Sequence, residues 1–301
     1  MELRDTARAA DGCELAITRY PAQGRAWATL LFAPAMAVPQ DFYGAFARFL
    51  AAEGVHVVSF DYRGMGASRT GSLRSLQATV TDWAEKDLEA MLAEARRTAP
   101  GLPLAFMGHS LGGQILGLAP SNSQVRASIH VTAGSGYYRF NDRMPLRVRI
   151  LWFAAMPLAT SLVGYFPGRR LRMVGDLPKG VATQWRRWCL HPDYLLSEGE
   201  AARAAFDRVR CPILSWSFED DVMITRRAVE SLDGFYRNAR IEHRHVAPAQ
   251  AGAKRIGHFG FFSEERAGAL WRESLAWLGK ELGRPASRTA SASLAARAAD
   301  G

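Results

Sequence analysis

The chain reads as an α/β protein, with one mostly parallel sheet covered by helices on both faces and a long inserted segment. Three observations predict this. Short apolar runs alternate with longer helical stretches, which right-handed crossovers turn into a parallel sheet. At 102–118 an apolar run, a glycine-rich turn and a second apolar stretch follow one another as strand, turn and helix. The length of 301 residues, 48% of them hydrophobic, suffices for a full core with an insertion.

The elements follow in order. Residues 15–20 and 28–33 are apolar runs of strand length, and 42–53 is a helix stopped by Gly54. Residues 55–60 form the next strand. A helix spans 79–98, with Thr81 or Asp82 as cap and Pro100 beyond its end. Strands at 104–107, 127–132, 213–217 and 241–246 complete the sheet, with helices at 114–118, 226–237 and 264–282 between or after them. The 284–301 tail is Ala, Ser and Arg without aromatic residues, and is expected to be disordered.

Candidate chemistry starts at Gly108-His109-Ser110-Leu111-Gly112. G-x-S-x-G between a strand and a helix sets a serine at the apex of a tight turn. Side chains at Gly108 or Gly112 would collide with the neighbouring elements. The Leu111 N–H falls at a helix N-terminus, where it can stabilise an oxyanion. A glycine-rich turn that merely joins two elements is the plain alternative, and G-x-S-x-G alone does not dismiss it.

A serine hydroxyl needs a general base, and the base an orienting acid. Glu219, Asp220 and Asp221 stand just past the 213–217 strand, and a carboxylate there lies where open α/β sheets keep their sites. His258 follows the last strand in the loop Ile256-Gly257-His258-Phe259-Gly260, from which an imidazole can reach back to Ser110. His243 and His245 share one strand face, but no third ligand stands at useful spacing, so no metal site is expected. His109 points away from the nucleophile and reads as a packing and hydrogen-bonding residue. A second oxyanion donor is expected after the 28–33 strand. Counting back from Phe42-Tyr43 assigns it to Met36, with Ala35 or Ala37 one residue away.

With these positions together, the chain resembles the α/β-hydrolase superfamily, near bacterial hydrolases similar to serine-aminopeptidase-like and monoacylglycerol-lipase-like enzymes. The resemblance covers about residues 11–282. It rests on Phe32-Ala33-Pro34-Ala35-Met36, Asp61-Tyr62-Arg63-Gly64-Met65-Gly66-Ala67-Ser68, 108–113, Asp221 and His258. Pro34-Ala35 stands where many such hydrolases carry His-Gly, a change that a backbone donor tolerates. The Asp61–Ser68 stretch matches a structural turn of the superfamily. The resemblance implies the α/β-hydrolase fold, a Ser110–Asp221–His258 triad and an acyl-enzyme, without cofactor or metal. Asp221 is favoured because Val222–Thr225 matches the apolar turn that follows the triad acid. Asp220 is the runner-up, and Glu219 reads as a solvated loop residue. The implied reaction is cleavage of a carboxylic ester, or related acyl bond, of a small, partly apolar substrate. Acyl transfer or peptide cleavage on the same triad, and a non-catalytic binding module, are the alternatives.

Residues 136–206 interrupt the alternation and are too long for a plain connection. The resemblance makes them a helical cap over Ser110, dividing the chain into a core of 1–135 with 207–283 and the cap of 136–206. Residues 151–166 are apolar and uncharged yet short for a membrane span, with Pro157 and Gly164 against one. Core packing is expected for most of them. Trp152, Phe153, Tyr165, Phe166 and Trp185 are the candidates for lining an acyl pocket.

The formal charge is +9, and residues 137–203 carry 11 basic side chains against 5 acidic ones. Such a surface could draw acidic substrates or an anionic membrane. The joint abundance of arginine and alanine points instead to a base-composition bias, and membrane-surface association is the less favoured reading. No nucleic-acid motif is present. Cys13, Cys189 and Cys211 are odd in number and scattered, and no signal peptide precedes the first strand, so a cytoplasmic setting is expected.

Overall fold

The computed structural model describes residues 2–285. Its strands are β1 (Leu3–Arg8), β2 (Glu14–Tyr20), β3 (Ala28–Ala33), β4 (Val55–Phe60), β5 (Leu104–His109), β6 (Ala127–Val131), β7 (Tyr165–Phe166), β8 (Leu177–Pro178), β9 (Ile213–Phe218) and β10 (Ile241–Val246). Among the described residues β7 and β8 form a small hairpin, and the other eight form one sheet in the order β1-β2-β4-β3-β5-β6-β9-β10. β2 is antiparallel to β1 and β4, and every other pair is parallel.

Successive side chains leave a strand on opposite faces, so each strand feeds two cores. Leu31 and Phe106 join one core, while Leu30, Phe32, Ala105 and Met107 join the other. The first core is closed by the helical run Val80–Asp82, Trp83–Leu88 and Glu89–Thr98, through Trp83, Leu88, Met91 and Leu92. Gly44–Ala52 and Glu264–Leu282 close the second through Phe46, Leu50, Leu270, Trp271 and Leu278. The mostly parallel sheet with helices on both faces is as the sequence predicts.

Several details differ. β1 has no apolar alternation because it is an exposed edge strand with nothing to bury, held partly by the Asp5–Arg19 ion pair. The cap of the 80–98 run is Thr79, not Thr81 or Asp82. Its hydroxyl accepts the Asp82 N–H, and the Asp82 carboxylate takes the Thr79 N–H in return. The helix after Ser110 begins at once as Leu111–Gln114 and tightens into a 3₁₀ turn at Leu116–Leu118. Helix Arg226–Asp233 ends earlier than expected.

In 136–206, Pro145–Ile150, Leu151–Ala155 and Met156–Val163 run on without a break, with a π turn in the middle. Gly164, at φ +81°, ends that run in the left-handed conformation. The β7–β8 hairpin and helices Lys179–Leu190 and Glu200–Asp207 follow. From Ala286 onward, the expected disordered tail lies outside the described residues.

Candidate active site

Parallel pairing puts the C-terminal ends of the central strands on one edge. Ala33 of β3 pairs with Gly108 of β5, His109 with Val131 of β6, and Val131 with Trp216 of β9. The loops that leave these ends carry Met36, Ser110 and Asp221, and the loop after β10 carries His258. Residues far apart in the chain therefore meet at one place.

Ser110 sits at φ +50°, ψ −116°, a strained conformation for a residue with a side chain. Its N–H donates to Val131 O at 2.9 Å, which anchors the turn to β6. The turn depends on close approach. A Cβ on Gly108 would lie 2.3 Å from Gly113 N, and one on Gly112 only 2.1 Å from Ala33 O. Leu111 is the first residue of its helix, so its N–H has no intrahelical acceptor.

Ser110 and His258 line the same cavity, about 420 Å³ in volume, together with Met36 and Leu111. His258 Nδ1 lies 2.8 Å from Asp221 Oδ2, and both side chains are buried. The other oxygen, Asp221 Oδ1, accepts the N–H groups of Met223 and Ile224 at 2.7 and 3.1 Å. The carboxylate is thus oriented from behind by its own loop, and Nε2 of His258 is left for the cavity side. Asp220 faces elsewhere: its two oxygens accept the Ile256 and Gly257 N–H groups, each at 2.9 Å, and tie down the start of the His258 loop.

The serine aminopeptidase S33 family profile matches residues 24–155, which contain the Ser110 turn and the Met36 loop. Monoglyceride lipase from Saccharomyces cerevisiae, solved with a substrate analogue, superposes with a TM-score of 0.66. It is 16% identical, over 92% of this chain and 94% of that one. A thermostable carboxyl esterase from Bacillus coagulans gives a TM-score of 0.64 at 10% identity, over 93% and 99% of the two chains. The chain has the α/β-hydrolase fold. DcsB, solved with its substrate analogue, gives 0.63 at 14% identity, over 94% and 100%. No curated protein matches the sequence.

Within this α/β-hydrolase fold a chain of neutral hydrogen bonds joins the three loops of the site. Ala35 N–H donates to Tyr43 Oη at 2.9 Å, so Ala35 is not a free oxyanion donor. Tyr43 Oη lies 2.9 Å from His109 Nδ1, and His109 Nε2 lies 2.9 Å from the His258 carbonyl. A carbonyl only accepts, so the Nε2 carries the proton and Tyr43 O–H donates to Nδ1. Burial, reinforced by the nearby His258, pushes the His109 pKa far down and keeps the ring neutral. Sequence reasoning placed His109 in packing but missed Tyr43, whose two partners, Ala35 and His109, lie far apart in the sequence. Tyr43→Phe leaves the Ala35 N–H and His109 Nδ1 buried and unpaired, and is expected to cost about 1–3 kcal/mol of stability in urea melts.

The Asp61–Ser68 stretch fastens the loop around Met36. Asp61 accepts the N–H of Gln40 at 2.8 Å and that of Ala67 at 2.9 Å, while the Ser68 hydroxyl donates to Asp61 O at 2.7 Å. Arg63 pairs with buried Asp87 and with Asp11. These bonds give the stretch a structural role.

The inserted segment is tied to the Ser110 turn by Gln114, which accepts from the Tyr194 hydroxyl at 2.7 Å. That hydroxyl in turn accepts from the Trp185 indole N–H at 3.1 Å. Trp152 and Trp185 line the cavity and meet edge to face. The other three aromatic candidates do not line it. Phe153 is more than half exposed, because helical rotation turns it away from its neighbour Trp152. Tyr165 and Phe166 follow the Gly164 reversal into the β7–β8 hairpin, and Phe166 is buried in the core. Tyr137, Met144 and Val148 line the cavity instead, as do Val222 and Met223 beside Asp221. Sequence alone gave no signal for them, since they come from irregular or gently amphipathic stretches.

Proposed function

We propose that this α/β-hydrolase is a serine hydrolase that cleaves a carboxylic ester of a small, partly apolar acyl substrate, with residues 136–206 as a cap over the site. The observation that carries this reading is the buried Asp221–His258 pair, which opens on the same largely apolar cavity as Ser110. With Nδ1–H donated to Asp221, Nε2 is the basic nitrogen. It takes the Ser110 proton as Oγ attacks the carbonyl. The negative charge that develops on the carbonyl oxygen is met by the N–H groups of Leu111 and Met36. His258 then gives its proton to the leaving alcohol, and a water activated by the same nitrogen releases the acyl group.

Trp152, Trp185 and Val148 give the acyl part a hydrocarbon surface, and each methylene buried there contributes up to about 0.8 kcal/mol. The cavity is finite, at about 420 Å³. Turnover of p-nitrophenyl esters is therefore expected to rise from acetyl to short or medium acyl chains and to fall for long ones. A profile that is flat in chain length would detach the cavity from substrate choice. Labelling with a fluorophosphonate probe tests the nucleophile itself.

A further inference from the structure

The helical run Pro145–Val163 is 19 residues long and apolar, and one side of it is bare. Leu146 is 71% exposed, Ile150 46%, Phe153 54%, Leu158 63% and Leu162 85%. The opposite side is fixed to the body, with Trp152, Met156 and Thr160 buried, while Val148, Leu151 and Trp152 line the cavity. The run is thus a wall between the cavity and the outside. This corrects the expectation that most of the segment packs into the core.

The exposed line is kept straight by the helix itself. Leu146, Ile150, Leu158 and Leu162 lie at multiples of four, and in a regular α-helix such a stripe drifts about 40° per step. By Leu162 it would have wound round to the packed side. The π turn Leu151–Ala155 takes up an extra residue and sets the drift back, for the buried stripe as well as the bare one.

Arginines surround this face. Arg143, Arg147 and Arg149 are exposed on or beside its first turns, and Arg169, Arg170 and Arg172 on the turn before β8, with Leu171, 41% exposed, among them. Arg147 donates to the Arg172 carbonyl at 3.0 Å, which brings the two stretches together. Ion pairs in this part of the chain engage Arg69, Arg187 and Arg203, and among the described residues none engages these six.

We propose that this face docks on an anionic phospholipid surface, with the 145–163 run lying flat at the headgroup level. Exposed apolar patches of this extent mark interaction sites, and a cation-flanked apolar helix has the composition of an interfacial one. A second copy of the chain would set six unpaired arginines against six. Spanning the bilayer would bury Arg147 and Arg149 and pull Trp152 and Met156 out of their packing. A shallow depression lined by Leu146, Ile150, Met173 and Arg147 adjoins the cavity and shares Met144, Arg147 and Met173 with it. An acyl chain at the lipid surface would have a short route to Ser110. That consequence, unlike the docking, rests on the ester-hydrolase reading.

The test is co-sedimentation with sucrose-loaded vesicles of phosphatidylcholine alone or mixed with phosphatidylglycerol, using the Ser110→Ala protein so that lipid turnover does not intervene. Binding is expected for the mixed vesicles only, and it should weaken in high salt. Leu158→Glu with Leu162→Glu, and separately Arg169→Glu with Arg170→Glu, should each weaken it by about tenfold or more. In the serine-containing protein the same pairs should leave hydrolysis of a soluble short-chain ester unchanged, which also shows that they fold. Absence of binding to phosphatidylglycerol vesicles, or equal binding by the variants, overturns the proposal. So does a dimer in gel filtration that the Leu158→Glu, Leu162→Glu pair converts to monomer, because the face would then be a self-association surface. Vesicle binding without any ester turnover would uphold the docking and refute the hydrolase reading.

Discussion

Ser110→Ala is expected to abolish fluorophosphonate labelling and to lower ester turnover by about a thousandfold or more, with the melting temperature unchanged. The size follows from chemistry: without Oγ no acyl-enzyme forms, and only the N–H groups of Leu111 and Met36 and the cavity walls remain to assist water. The unchanged stability follows from geometry. The turn is held by the Ser110 N–H bond to Val131 O and by the tight seats of Gly108 and Gly112. Alanine keeps that backbone bond, and φ +50° is no harder for it than for serine. Labelling that persists in the variant would remove Ser110 from the mechanism. A wild-type protein that takes no probe and cleaves no ester would point to a binding role for the fold.

The sheet was legible in the sequence because most of its strands are buried on both faces and read as unbroken apolar runs. β1 escaped because an edge strand with polar faces leaves no pattern. Ser110 was legible because the turn needs glycine two residues either side of it, a steric demand that shows as a motif. Asp221 and His258 stood out only in relation to it, by chain order and by their places after strands. The cavity wall was less readable. Neighbours such as Trp152 and Phe153 are turned by about 100° from one another on a helix, and apolar composition cannot say which of them faces the cavity. The bare face of 145–163 was hidden for a related reason. A stripe with a repeat of four looks like a drifting helix face until the π turn is known. Hydropathy alone gives the same value to a leucine in a core and one on a surface.

Asp221→Asn is expected to lower kcat/KM by about four orders of magnitude, and Asp220→Asn by less than about tenfold. Asp221 serves two kinds of donor at once: Oδ2 takes His258 Nδ1–H at 2.8 Å, and Oδ1 takes the N–H groups of Met223 and Ile224. An asparagine cannot do both. If its oxygen stays on the backbone donors, its NH₂ faces His258 Nδ1, which must then accept, and the ring carries its proton on Nε2. That tautomer has no lone pair for the Ser110 proton. If the amide turns over, two backbone N–H groups confront an NH₂ instead. Asp220 meets only backbone, the Ile256 and Gly257 N–H groups that begin the His258 loop. Asparagine retains one of those two bonds and loses the other, which is expected to cost about 1 kcal/mol of stability and to loosen the loop without changing the tautomer of His258. Kinetics on the best ester, with urea melts of both variants, separate the two roles. The reverse order, a catalytic collapse in Asp220→Asn and a mild loss in Asp221→Asn, would mean that the imidazole is oriented by the neighbouring carboxylate when substrate is bound.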